Sequence, residues 1–161
     1  MEPKLAATLY TLREFCKTPD DINQSLKKVK QIGYDYVQIS GIGPIEPQHL
    51  KDLLDANGLK ACATHTGLEK MLNQTDLVIE EHKIWDCHNT AVPSLPADYV
   101  GYEGYARFAK ESADLGKKLL DNGIALAYHN HVWEFEKQGN RIGLEIIYED
   151  RNPSCLFGEI D

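Results

Sequence analysis

Two imidazoles, an amide and two carboxylates crowd the end of the segment Ile124–Glu136, which reads IALAYHNHVWEFE. Imidazole can ligate a divalent metal or carry a proton near neutral pH. His129 and His131 are two apart, so extended backbone points both to one side and Asn130 to the other. The apolar run before them, bounded by Gly123, reads as a buried strand. Loops that follow strands are where parallel α/β proteins keep their chemistry.

The elements that must hold this motif repeat one pattern of helix, glycine, short apolar strand and polar loop. Thr18 can cap a first helix, Pro19 suits its first turn, and Asp20 and Asp21 complement its dipole. Ile22, Leu26, Val29 and Ile32 follow at helical spacing, and Gly33 ends the helix. Gly58 and Gly123 repeat that punctuation. A helix over 73–86 places His82 beside Glu80, Glu81 and Lys83, which reads as a solvated surface. A helix over 103–121 carries Tyr105, Phe108, Ala109, Ser112, Leu115 and Leu119 on one stripe. Strands are expected over 4–9, 35–40, 60–65, 88–92, 124–128 and 154–161. Their starts lie about 30 residues apart, the length of a βαβ unit. Two architectures remain: a partial (β/α)8 TIM barrel with about six parallel strands, or an open doubly wound parallel sheet. The chain stops at Asp161 inside an expected buried strand, from which C-terminal truncation is expected.

At 161 residues the chain suits one domain. Its 17 basic and 25 acidic residues give a net charge of −8 without a basic block, which disfavours nucleic acid and anionic membranes as partners. No phosphate-binding glycine loop follows the first strand. No apolar run approaches the roughly 20 residues that span a bilayer. Cys16, Cys62, Cys87 and Cys155 are scattered, with no metal or redox spacing, and read as small buried residues in a reducing, cytoplasmic setting.

The stretches Leu9-Tyr10-Thr11-Leu12-Arg13 and Ile32 to Gly41 (IGYDYVQISG) resemble the opening of the sugar phosphate isomerase/epimerase family, the xylose-isomerase-like TIM barrels. Thr64-His65-Thr66-Gly67-Leu68-Glu69, Tyr128-His129-Asn130-His131 with Trp133-Glu134-Phe135, and Glu159-Ile160-Asp161 resemble later stations in the same order. The resemblance covers this chain and about the first two-thirds of a family member. It implies that 1–161 is a single xylose-isomerase-like barrel domain, incomplete at the C-terminus. It further implies a divalent cation (Mn, Mg, Co or Zn) at the barrel mouth and proton abstraction beside a carbonyl of a sugar, keto-sugar or polyol. Asp161 matches a metal-binding aspartate. His129 stands where many relatives carry a metal-binding, basic glutamate, as in the Tyr-His-Asn-His branch, and the family's remaining histidine and glutamate ligands lie beyond residue 161.

These readings make His129, His131 and Glu134 the catalytic candidates, and Asp161 with His129 the metal ligands. His65, Asn130, Trp133 and Glu69 are the substrate-binding candidates. Trp133 and Phe135 would wall a sugar pocket, since aromatic faces suit the C–H surfaces of sugars. Glu159 shares the alternation face of Asp161 and is a further mouth carboxylate. Arg13, near Tyr10, is placed to meet an anion. The competing readings are structural: a histidine bonded to a carbonyl, a solvated Glu134, a Glu69 that only starts a helix, a frayed Asp161. The expected activity is isomerisation or epimerisation. A lyase or dehydratase on a similar polyol and a non-catalytic sugar-binding or inactive fragment are the alternatives. Two unpaired strand edges suggest a homo-oligomer.

Overall fold

A computed structural model describes residues 5–149 and 155–161, so Lys4 and Ser154, the expected starts of two strands, lie outside the described residues. The strands are β1 (Ala6–Thr8), β2 (Tyr36–Ile39), β3 (Lys60–His65), β4 (Asn89–Val92), β5 (Ala125–His129), β6 (Lys137–Gln138), β7 (Arg141–Ile142) and β8 (Phe157–Glu159). Six of them form one parallel sheet in the order β1-β2-β3-β4-β5-β8. That order follows the chain, so every crossover advances the same way. A doubly wound sheet needs a reversal of strand order, and the described strands contain none. The barrel-type reading therefore stands and the open doubly wound alternative does not. A short antiparallel hairpin, β6–β7, adds to the expected strands.

By packing, the chain forms two compact units, Met1–His65 with Glu80–His88, and Thr66–Ile79 with Asn89–Asp161. In the first unit, α1 (Pro19–Ile32) starts with a capping box: the Thr18 side chain accepts from the Asp21 N–H, and the Asp21 carboxylate accepts from the Thr18 N–H. The helix ends at Gly33, whose φ of 114° only glycine adopts cheaply. Ile22, Leu26 and Val29 are buried with Val37 of β2 and with Leu50 and Leu54 of α2 (Pro47–Ala56). Ile32 is 74% exposed, contrary to its expected place on the buried face. At 3.6 residues per turn it lies about 80° off the Ile22 direction, outside the apolar stripe.

His82, in α4 (Thr75–Trp85), is also corrected. It is buried rather than solvated, with Nε2 2.8 Å from Thr64 Oγ1 and its ring tilted against Trp85. Its charged neighbours misrepresent the helix face, because i, i+1 and i+2 point in different directions.

In the second unit, the expected stripe of α5 (Tyr102–Leu120) is buried in full, from Tyr105 to Leu119. Phe108 packs against Tyr128 of β5 with ring centroids 5.3 Å apart. Leu126, Tyr128, Ile146 and Leu156 join this core, with Ile146 supplied by α6 (Gly143–Glu149). All four cysteines are free thiols; Cys16, Cys87 and Cys155 are buried as expected, whereas Cys62 in β3 is only partly buried. Among the described residues, no helix is long and apolar enough to cross a membrane. Burial makes His82 a stability residue: His82→Ala should cost about 2 kcal/mol in urea unfolding, whereas His88→Ala, at an exposed site, should change stability by less than about 0.5 kcal/mol.

Candidate functional site

Alternation along β5 sorts its side chains onto two faces. Leu126, Tyr128 and Asn130 are buried, while Ala125, Ala127 and His129 are partly open. The parallel register pairs Ala127 with Phe157, Tyr128 with Gly158 and His129 with Glu159. Paired residues of neighbouring strands project to the same face, so His129 and Glu159 meet by register. His129 Nδ1 lies 3.4 Å from Glu159 Oε1, and Nε2 lies 3.8 Å from Asp161 Oδ2. The Asp161 N–H donates to Asn130 Oδ1 at 3.4 Å, which ties the end of the chain to the turn after β5.

Donor atoms that share one divalent ion lie about 3 to 4 Å apart when each sits about 2.1 Å from it. Both carboxylate contacts of His129 fall in that range. They use different ring nitrogens, and one imidazole gives one nitrogen to one ion. His129 can therefore pair with Glu159 through Nδ1 or with Asp161 through Nε2. Imidazole with carboxylates suits Zn, Co and Mn, and carboxylates with water suit Mg.

Beyond β5 the motif turns back on itself. The His129 and His131 rings meet edge to face at 5.0 Å, on one side as the spacing predicts. His131 stacks on Trp133 with centroids 4.2 Å apart and planes 12° from parallel. Trp133 and Phe135 are exposed. Glu134 is not the solvated carboxylate of the competing reading. It is fully buried, accepts the Tyr128 hydroxyl at Oε1, and accepts the His131 N–H at Oε2 at 2.7 Å. Burial first, and next the bond to Glu134, push the Tyr128 phenol well above its ordinary value. Burial and the Glu134 charge likewise raise Tyr105.

His65 belongs to the first unit. There the β2–β3 register slips between Val37 and Gln38, leaving Cys62 as a bulge. The extra residue puts Gln38 and His65 on the same face, and their side-chain nitrogens lie 3.1 Å apart. Glu69 is exposed in the first turn of α3 (Leu68–Asn73). The Arg13 guanidinium lies over the Tyr10 ring at 4.4 Å and donates to the Tyr10 carbonyl. The structure thus gathers His129, Asn130, His131, Trp133, Glu134, Glu159 and Asp161 within one unit. Tyr128 is the member that sequence reasoning missed. Its alternation marks it as core, but nothing in the sequence gives its hydroxyl a partner.

No protein-family model and no curated protein sequence matches the chain. Solved structures do. A sugar phosphate isomerase/epimerase from Parabacteroides distasonis has a TM-score of 0.82 at 19% identity, covering 98% of this chain and 68% of its own. A probable 3-DHS dehydratase from Bacillus anthracis has a TM-score of 0.65 at 11% identity, covering 99% of this chain and 63% of its own. A xylose-isomerase-like TIM barrel protein from Mycobacterium smegmatis, solved in complex with magnesium, has a TM-score of 0.60 at 13% identity, covering 80% of this chain and 55% of its own. At these identities the likeness is one of fold, and that fold is shared by proteins named for different reactions.

The raised Tyr128 phenol makes stability depend on alkaline pH. The unfolded chain releases this proton near pH 10, and the folded chain retains it. Its stabilising contribution is therefore intact below about pH 10 and falls as pH rises further, by at most about 1.4 kcal/mol per unit. Urea unfolding should show that loss in the wild type, and Tyr128→Phe should show a shallower one.

Proposed function

We propose that residues 1–161 belong to a single xylose-isomerase-like barrel domain, and that the protein is a metal-dependent isomerase or epimerase of a sugar, keto-sugar or polyol. The observation that carries this reading is His129 set within 3.4 Å of Glu159 and 3.8 Å of Asp161 where β5 and β8 end. His129 and Asp161, with Glu159 beside them, would hold a divalent cation. When bound, that cation would polarise the substrate oxygen and stabilise negative charge developing there. His131, beside His129 and stacked on Trp133, is the residue that would move the proton beside the substrate carbonyl. Trp133 offers its exposed face to the sugar C–H surface, and Glu69, exposed in the first turn of α3, is a further substrate contact. A small sugar or polyol is the partner, and the cytoplasm is the location that the free thiols favour.

Dehydration is a second reading, favoured by the likeness to the probable dehydratase. Carbanion formation at the same carbon would then expel a β-hydroxyl instead of being reprotonated. A panel of keto-sugars and polyols in D2O separates the two. Isomerisation incorporates deuterium at carbon and conserves the water content of the substrate, whereas dehydration forms an enol or ketone lighter by one water. Mn2+ titration followed by electron paramagnetic resonance tests the metal. His129→Ala and Asp161→Ala should each weaken Mn2+ binding at least about tenfold and abolish turnover. Unchanged Mn2+ binding and turnover in both variants would contradict the assignment.

A further inference from the structure

We infer that Tyr128 and Glu134 form a positioning pair that sets the His131–Trp133 platform, with Glu134 acting through His131 and not on the substrate. The consequence for ligand binding rests on the proposed function, while the cause rests on the geometry of the second unit alone. A fully buried carboxylate must find its hydrogen-bond partners inside the fold. Glu134 finds one for each oxygen: the Tyr128 hydroxyl for Oε1 and the His131 N–H for Oε2. These donors flank Asn130, one in the strand and one in the loop that follows it. The carboxylate therefore clamps the point at which β5 becomes loop.

The clamp fixes the His131 backbone, and the His131 ring carries the next contacts, stacked on Trp133 at 4.2 Å and edge-on to His129 at 5.0 Å. With both oxygens engaged and no solvent exposure, Glu134 presents neither oxygen as an acid or base. Its counterpart Tyr128 is equally buried and is pinned by Phe108 on the helix side. Tyr128 is thus the fixed post to which the loop is tied, and the orientation of His131 depends on a hydroxyl that never meets the substrate.

The test uses the chain labelled with 5-fluorotryptophan, in which the two tryptophans, Trp85 and Trp133, give separate 19F signals. Trp133→Phe assigns them. Glu134→Ala and Tyr128→Phe should each shift the Trp133 signal, leave that of Trp85 in place, and weaken Mn2+ binding about tenfold. Glu134→Gln, whose carboxamide can still accept the His131 N–H, should keep the Trp133 signal near its wild-type position and Mn2+ affinity within about threefold. If Glu134→Ala fails to fold, Tyr128→Phe alone decides. A Trp133 signal unmoved in Tyr128→Phe overturns the pair. Glu134→Gln as damaging as Glu134→Ala overturns it too, because charge and not position would then be what Glu134 supplies. If the 19F shifts appear as expected while the wild type binds no Mn2+, the positioning pair stands and the metal-dependent function falls.

Discussion

The second unit depends on one register, the parallel pairing of β5 with β8 that sets His129 opposite Glu159. Because side chains alternate along a strand, this register also decides which residues of β5 enter the core. Leu126 and Tyr128 go inward against α5, and His129 goes to the other face beside the carboxylates. A slip of one residue would bury His129 among apolar side chains and expose Tyr128, losing core and site together. Packing of Phe108 and Leu126 thus enforces the placement of a polar group that packing itself would reject.

Local irregularities then aim the individual groups. The bulge at Cys62 turns His65 onto the face of Gln38 in the first unit. In the second, the turn after β5 is closed by a buried carboxylate rather than by backbone hydrogen bonds alone. A carboxylate out of water is costly unless its oxygens are satisfied, and here each receives a donor. That requirement gives the His131–Trp133 stack a defined geometry on an otherwise exposed loop.

Much of the frame was legible in the sequence because it rests on local chemistry. The capping box at Thr18 and the positive-φ glycines at 33, 58 and 123 are determined within a few residues of chain. The α5 stripe follows from helical periodicity, and the same-side placement of His129 and His131 follows from strand periodicity. The remainder depended on distant partners. His82 is buried because Thr64 and Trp85 receive it, which its charged neighbours conceal. Ile32 lies beyond the edge of a stripe whose width the sequence does not state. The Cys62 bulge is set by the pairing of β2 with β3, and the Tyr128–Glu134 bond, though it spans only six residues, forms through a turn that residue type alone does not specify.

Anomalous diffraction at the manganese edge from crystals soaked in Mn2+ tests the central claim, that the β5–β8 register builds a metal-binding mouth around His129. The prediction is one strong peak about 2.0 to 2.3 Å from a His129 ring nitrogen and from a carboxylate oxygen of Glu159 or Asp161. No peak beside His129, or a peak bound by other residues at saturating Mn2+, would contradict it.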